Sequence, residues 1–364
     1  MPKISQIFPY LSRIDENRYY TNHGPLLKEF ESFLAQHFNV DSNRVATSAN
    51  GTLALIQILK ALNLKEKSLC VMPSWTFVAT PAAAIAAGLI PFFIDVDLNT
   101  WTITPDHIRT IIKDYEIAAV IVVSPFGAPL DTKCWEEFKE QTGIPVIIDA
   151  AASFDGFSQI QTTLPAMISL HATKAFGIGE GALVIAGSAE EANDIRMWGK
   201  FGFDDGREAH VPGINAKLSE YAAAIGLAAL EEWPKKRQEW QNLTEIFENK
   251  VTQISEVETS PYFNKGWISS YGMIELPKTI HAKAIAQCLR NNGIQTLAWW
   301  NMGCHKQKAY LNYPCTNLAN TNYLADHTLG LPFWIGMANT DFDFIFERLQ
   351  AALETLIHKD SCYA

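Results

Sequence analysis

The chain has 364 residues, a length that predicts two closely associated domains rather than one small core. Hydrophobic residues make up 48% of it and charged residues 19%, which is typical of an ordinary soluble globular protein. The formal net charge of −10 argues against nucleic acid or an anionic membrane as the main partner. It does not exclude a phosphate ligand, because helix N-termini bind phosphate whatever the overall charge.

The N-terminus lacks a signal-peptide pattern, and no apolar run approaches the length of a membrane span. The cysteines form no CxxC motif and no paired metal spacing, and they are scattered over the chain as Cys70, Cys134, Cys288, Cys304, Cys315 and Cys362. We therefore predict reduced thiols, no metal site and a cytoplasmic enzyme.

The first predicted helices cover residues 25–38, where Pro25 suits the first turn, and residues 49–62, which open on Gly-Thr. Helices predicted at 76–88, from 104 onward and at 131–141 then alternate with apolar strands. The predicted strands are 68–74, 89–97, 118–124, 146–150, 167–174 and 181–187. This alternation predicts an α/β fold, with a mostly parallel sheet covered by helices on both faces.

The pattern changes in the last third of the chain. Residues 215–255 are strongly helical in pattern, and Pro234 is predicted to interrupt them. A strand at 271–276, a helix at 281–293 and a closing helix at 341–357 follow. We predict a large domain over residues 1–235, including the N-terminal segment, and a smaller α+β domain over residues 236–364.

An acid and an amine follow two neighbouring apolar strands. Asp149 ends VIID, and Lys174 ends MISLHATK, with Gly177, Gly179 and Gly181 directly after it. In parallel α/β sheets, ligands gather at the carboxyl ends of the strands. Alone, Asp149 would suit a helix cap and Lys174 a solvated surface position; together with the glycines they predict a cofactor site.

Pyridoxal phosphate needs both groups. The amine forms a Schiff base with its aldehyde and later moves a proton, while the acid keeps the ring nitrogen protonated. Gly51 and Thr52 open a helix that could hold the phosphate or be a plain helix start. Ser169 could contact the phosphate or be an ordinary strand hydroxyl. Phe77 could stack on the ring or belong to the core.

The chain resembles the DegT-type sugar aminotransferases, which are pyridoxal phosphate enzymes of fold type I. The resemblance covers nearly all of the sequence and depends on several ordered motifs. They are YYTNHGPL (19–26), SANGTLAL (48–55), PSWTFVAT (73–80), PFFIDVD (91–97), VIIDAAASFDG (146–156), SLHATKAFGIGEGA (169–182) and GINAKLSEYAAAIGL (213–227).

The resemblance implies that Lys174 binds the cofactor covalently, that Asp149 contacts its ring nitrogen and that Phe77 stacks on the ring. The residues that it assigns to the phosphate are Gly51, Thr52 and Ser169. Asn215 matches a position that reaches the cofactor phosphate of the neighbouring subunit, which implies a homodimer with shared active sites.

Two positions depart from the family pattern. Family members commonly have Gln, sometimes His, three residues after the Asp, where it bonds the phenolic oxygen of the cofactor; this chain has Ala152. The stretch VVSPFG, which contains Phe126, also lacks the more usual His.

Five residues are candidates for the sugar substrate. The region AWWNMGCHKQKAY (298–310) lies near the nucleotide-sugar in relatives, which implicates Trp299, Trp300 and His305. A core tryptophan pair with a surface histidine is the alternative. Tyr20 and Asn22, in the motif YTNHGP, are similar candidates.

The resemblance implies transfer of an amino group from L-glutamate to a keto group of a nucleotide-linked sugar, dTDP-, UDP- or GDP-linked. The amino sugar would serve surface polysaccharide, such as lipopolysaccharide, or a glycosylated metabolite. One alternative is a sugar dehydratase of the same fold, but those relatives have His in place of the lysine or add an iron–sulfur cluster. A second alternative is a regulator that binds a sugar nucleotide without turnover.

Overall fold

The computed structural model describes residues 1–204 and 206–361, which contain a seven-stranded and a three-stranded sheet. The strands of the larger sheet are β1 (Val45–Ser48), β2 (Leu69–Pro73), β3 (Ile90–Ile94), β4 (Ile117–Val123), β5 (Val146–Asp149), β6 (Ala166–Ser169) and β7 (Ala182–Ile185). The strands of the smaller sheet are β8 (Glu258–Thr259), β9 (Gly272–Glu275) and β10 (Thr328–Leu331).

The larger sheet has the strand order β1-β7-β6-β5-β4-β2-β3. Strands β2 to β6 pair in parallel, and β7 is antiparallel to both of its neighbours, β6 and β1. The prediction of a mostly parallel sheet is confirmed. Because the carboxyl ends of β2, β4, β5 and β6 lie at one edge, the loops that follow these strands meet there.

Helices surround both sheets. Their bounds are α1 (Ile4–Asn17), α2 (Pro25–His37), α3 (Gly51–Ala61), α4 (Ala79–Ala86), α5 (Pro105–Ile111), α6 (Thr132–Thr142), α7 (Phe154–Phe157), α8 (Ala189–Gly199), α9 (Glu220–Val251), α10 (Ala282–Asn291), α11 (Ala319–His327) and α12 (Asn339–Ser361). None of the helices in the described ranges combines enough length and apolar character to cross a bilayer.

The strands of the larger sheet are buried on both faces. Ile147 and Ile148 are neighbours in β5 and point to opposite faces, where they join two separate hydrophobic clusters. Val120 and Ile121 of β4 divide between the same two clusters. Helices therefore cover both faces, as the unbroken apolar strands predicted.

The predicted interruption at Pro234 is wrong, because Pro234 lies inside α9, which is a continuous helix of 32 residues. A proline inside a helix removes one hydrogen bond, but the helical assignment continues through Pro234, and buried side chains pack on both sides of it. Trp233 packs edge-on against Phe154, with 5.0 Å between ring centroids, and Trp240 is also buried. Since α9 crosses residue 235, the domain boundary there stays a prediction.

Candidate active site

A cavity of about 300 Å³ lies at the carboxyl edge of β4, β5 and β6. It brings together residues that the sequence placed far apart. The predicted site residues that line it are Gly51, Thr52, Phe77, Asp149, Ser169, Lys174, Trp299 and Trp300. The cavity is large enough for a small cofactor.

Asp149 is the last residue of β5, and its side chain is buried, with a residue exposure of 5%. Its Oδ2 atom accepts a hydrogen bond of 2.8 Å from the hydroxyl of Thr80, and its Oδ1 accepts one of 3.2 Å from the amide of Ala151. Thr80 is in turn within 2.9 Å of the Thr76 hydroxyl. A chain of two hydroxyls therefore fixes the orientation of the carboxyl group.

Burial raises the pKa of the Asp149 carboxyl, while the bonds from Thr80 and Ala151 and the charge of Lys174 lower it in part. In the described part of the chain, no Lys, Arg or His nitrogen forms a salt bridge with it. A buried carboxylate without a cation is costly. A protonated ring nitrogen bound beside it would supply the missing positive charge, which fits pyridoxal phosphate.

Lys174 lies in the loop between the antiparallel strands β6 and β7. The predicted strand 167–174 is too long, because β6 ends at Ser169 and the chain then turns back. Hydrogen bonds from the Leu170 amide to the Gly181 carbonyl (2.9 Å) and from the Ala172 amide to the Gly179 carbonyl (2.8 Å) close the loop. Lys174 is therefore presented at the tip of a hairpin.

The glycines after Lys174 shape this hairpin and do not line the cavity. A Cβ atom on Gly177 would lie 2.8 Å from the carbonyl oxygen of His171 and 2.9 Å from that of Ala172. Gly179 has φ of 103°, a left-handed conformation that favours glycine. Their contribution is to let two stretches of backbone approach closely enough to hold Lys174.

The Nζ atom of Lys174 donates a hydrogen bond of 2.7 Å to the hydroxyl of Tyr271. Tyr271 directly precedes β9 in the smaller sheet, 97 residues further along the chain. We did not identify it from the sequence, since YGMIEL has only the pattern of an apolar strand. Thr80 was likewise missed, although it ends the motif PSWTFVAT.

The start of α3 forms the polar end of the cavity. The side chain of Asn50 caps this helix by accepting a 2.9 Å hydrogen bond from the Leu53 amide. The amides of Gly51 and Thr52 belong to the first turn, and the hydroxyl of Ser169 lies on the adjoining strand end. Amides of a first helical turn and a hydroxyl are the donors that a phosphate group requires.

Aromatic side chains form much of the remaining wall. Phe77 is 57% exposed, which is unusual for a large apolar side chain and suits a residue that stacks on a bound ring. Trp300 stacks on Phe126 with 4.2 Å between ring centroids and 13° between planes. Trp299 contacts the edge of the Tyr271 ring at 4.8 Å.

His305 does not line this cavity. Its Nδ1 atom is 2.7 Å from the hydroxyl of Ser74, and its backbone amide donates to the same oxygen. It is half-buried rather than a surface residue, and burial lowers the pKa of its imidazole. Its assignment to the substrate stays a prediction.

Tyr20, Asn22 and Asn215 lie outside the cavity, close to the start of α9. Tyr20 stacks on Tyr221 with 6.5 Å between ring centroids, and Asn22 lines a separate groove. Asn215 is exposed and accepts a 2.6 Å hydrogen bond from Lys217. Within one subunit, these three residues are not brought to Lys174.

The residues of the cavity fit pyridoxal phosphate at four of its features: an amine for the aldehyde, a buried acid for the ring nitrogen, an exposed aromatic side chain for the ring face, and donors for the phosphate. Ala152 lines the cavity but has no group that could bond the phenolic oxygen. In the described ranges, no three His, Cys, Asp or Glu side chains lie together as metal ligands would.

Comparison with known proteins agrees with this geometry. The model of the DegT/DnrJ/EryC1/StrS aminotransferase family matches residues 3–350. A dTDP-4-amino-4,6-dideoxy-D-glucose transaminase of Shigella dysenteriae is 27% identical over 360 residues, which cover 96% of each chain.

Two solved structures are similar over nearly their whole length. A Bacillus cereus protein assigned as a PLP-dependent aminotransferase is 32% identical, with a TM-score of 0.89, covering 95% of this chain and 96% of that one. DesI, solved in the presence of its TDP-sugar product, is 26% identical, with a TM-score of 0.88, covering 100% of this chain and 94% of its own. The fold type I architecture, the aminotransferase activity and the pyridoxal phosphate cofactor predicted from the sequence are confirmed, and the chain belongs to the DegT/DnrJ/EryC1/StrS aminotransferase family.

Proposed function

We propose that this enzyme transfers an amino group from L-glutamate to a keto group of a nucleotide-linked sugar, using Lys174 and Asp149. The observation that carries the proposal is that one cavity contains both the lysine amine and a buried carboxylate that forms no salt bridge with any described residue. The similarity to the Shigella dTDP-sugar transaminase and to DesI supports a nucleotide-linked sugar as acceptor. Synthesis of amino sugars for surface polysaccharide is consistent with this activity.

When bound, pyridoxal phosphate supplies an aldehyde that reacts with amines and a ring that withdraws electrons from the substrate's α-carbon. Asp149 has to hold a proton on the ring nitrogen for the ring to act in this way. Its fixed orientation toward Thr80 and Ala151 prepares it for that contact before any ligand arrives. The positive charge that it gains offsets the cost of its own burial.

Lys174 provides the amine that binds the cofactor covalently. When it is not bound to the cofactor, the same amine would move a proton from the donor's α-carbon to the C4′ atom of the cofactor. Its place at the tip of a short hairpin keeps the amine close to the reacting atoms in both states. The second half of the reaction repeats these steps in reverse with the keto sugar.

Trp299 and Trp300 are proposed to contact the sugar. Both line the cavity that contains Lys174, and Trp299 is partly exposed. Flat aromatic surfaces bind the apolar faces of sugar rings while leaving hydroxyl groups to polar partners.

The proposal is tested by an absorption spectrum of the purified protein with pyridoxal phosphate, followed by addition of L-glutamate. A visible band that glutamate bleaches shows the first half-reaction, and keto-sugar nucleotides should then restore it. A band that glutamate does not change would refute glutamate as donor. Turnover without amine transfer would favour the dehydratase, and binding without turnover would favour the regulator.

We further propose that the enzyme is a homodimer in which Asn215 completes the partner's site. Asn215, Tyr20 and Asn22 all lie near the start of α9, outside the cavity of their own subunit. Within the described part of the chain, no disulfide joins the five cysteines Cys70, Cys134, Cys288, Cys304 and Cys315, which suits the cytoplasm that we propose as the location.

Mixed dimers test this sharing of sites. Lys174→Ala and Asn215→Ala subunits, each of low activity alone, should regain activity when mixed, because one of the two sites in a hybrid then contains neither substitution. If Asn215 acts within its own subunit, mixing would restore nothing.

A further inference from the structure

The hydroxyl of Tyr271 lies at the amine that binds the cofactor. It accepts a hydrogen bond of 2.7 Å from Lys174 Nζ, and as a phenol it still has one proton of its own to donate. In pyridoxal phosphate, the phenolic oxygen and the aldehyde are on neighbouring ring carbons. Because the lysine amine binds at the aldehyde carbon, a donor that lies beside this amine also lies beside the position that the phenolic oxygen would occupy.

The position of Tyr271 is rigidly determined. Its ring is 7% exposed and lies between Phe126, at 5.5 Å between centroids, and Trp299, at 4.8 Å. Its amide donates a 3.1 Å hydrogen bond to the Ser269 hydroxyl, which itself donates to the Phe126 carbonyl at 2.9 Å. The hydroxyl is thus preorganised rather than free to leave the cavity.

Two hydroxyls near Asp149 are already engaged as donors. Ser124 donates to the carbonyl of Ala128 at 2.5 Å, and Thr80 donates to Asp149. Ala152, at the position where the resemblance implies a side-chain amide, has no side-chain donor.

We propose that Tyr271 replaces the amide missing at Ala152 by donating a hydrogen bond to the phenolic oxygen of pyridoxal phosphate while positioning Lys174. This deepens the proposed function and rests on its cofactor site. A neutral donor stabilises the negative charge of the phenolic oxygen. The proton on the lysine nitrogen is shared with that oxygen, so the donor lowers the pH at which this proton leaves.

The test is a pH titration of the visible band of the lysine-bound cofactor in three proteins: wild type, Tyr271→Phe and Tyr262→Phe. Tyr271→Phe keeps the packed ring and removes only the hydroxyl. Its midpoint should rise by about 1 to 2 pH units, the equivalent of one hydrogen bond to a charged group, and its cofactor affinity should fall about tenfold. Tyr262→Phe, at a half-exposed tyrosine outside the cavity, should match wild type.

A second variant separates the phenolic oxygen from Lys174 as the target. Adding Ala152→Gln to Tyr271→Phe should return the midpoint toward that of wild type, because it restores the amide that relatives use. If the double variant keeps the raised midpoint, the hydroxyl acts on Lys174 alone and the assignment is overturned.

An unshifted midpoint in Tyr271→Phe also overturns it. If the wild-type protein still shows a normal visible band, the proposed function remains intact and only the role of Tyr271 is refuted. A wild-type protein with no band refutes both the proposed function and the role of Tyr271.

Discussion

The hydrogen bond from Thr80 to Asp149 offers a direct test of how the fold prepares the buried acid. Thr80→Val preserves shape and removes the only side-chain donor to the carboxyl in the described structure. A hydrogen bond to an ionised group contributes about 1.5–3 kcal/mol, and one between neutral groups about 0.5–1.5 kcal/mol. In the cofactor-free protein, the free energy of unfolding of the variant should fall by the larger amount at pH values where Asp149 is ionised. It should fall by the smaller amount where Asp149 is protonated.

The direction in which stability changes with pH follows from the raised pKa of Asp149. A buried acid whose pKa is raised makes the folded state less stable as the pH rises from the ordinary carboxyl value to the raised one. Removing the Thr80 hydroxyl raises that pKa further, so it widens this pH range. The difference between variant and wild type should therefore grow with pH and then level off.

The assay is urea unfolding of both proteins, without cofactor and at one protein concentration, between about pH 5 and pH 8. Thr244→Val is the matched control, since Thr244 is equally buried but donates to the neutral carbonyl of Trp240 at 2.8 Å. Its destabilisation, about 1 kcal/mol, should not depend on pH. If Thr80→Val showed the same flat profile, the hydroxyl would not act on the ionised carboxyl and the reasoning would be refuted.

Three further substitutions test the site. Lys174→Ala should lose the visible band and turnover while still binding the cofactor non-covalently. Absorption spectra and dialysis would show this. Turnover by the variant would refute the assignment of Lys174. Gly177→Ala, whose Cβ would meet the His171 carbonyl at 2.8 Å, should cost about 1–3 kcal/mol in urea unfolding, whereas Gly206→Ala, with 3.9 Å to its nearest atom, should cost far less. Phe77→Ala should weaken cofactor binding about 2- to 10-fold, as measured by fluorescence titration; unchanged affinity would rule out stacking.

The sequence was a good guide to the features that are local. Asp149 directly follows a buried apolar run, so its place at the strand end was predictable, and the glycines after Lys174 marked an unusual turn. The physical role of these glycines was not predictable, because it depends on backbone contacts that form only when the hairpin is folded. The helix through Pro234 was missed for a similar reason, since its continuity depends on tertiary packing around Trp233.

Tyr271 shows the limit more clearly. Nothing in the neighbouring sequence distinguishes Tyr271 from the apolar residues of β9, and its partner Lys174 lies in a hairpin that follows a strand of the other sheet. The tyrosine hydroxyl reaches the lysine amine only because the regions around the two sheets pack together. The same holds for Thr80, whose hydroxyl is significant only because α4 carries it under Asp149.

The 97 residues that separate Lys174 from Tyr271 have a consequence for how the enzyme is made. At a synthesis rate of roughly 5–20 residues per second, the ribosome adds this stretch over about 5 to 20 s. During that time the strands around Lys174 can already pair, while the wall that Tyr271 and Trp299 provide does not yet exist. The emerging chain therefore has a lysine site that is open on one side, and durable capture of the cofactor has to wait until the last third of the polypeptide has left the ribosome.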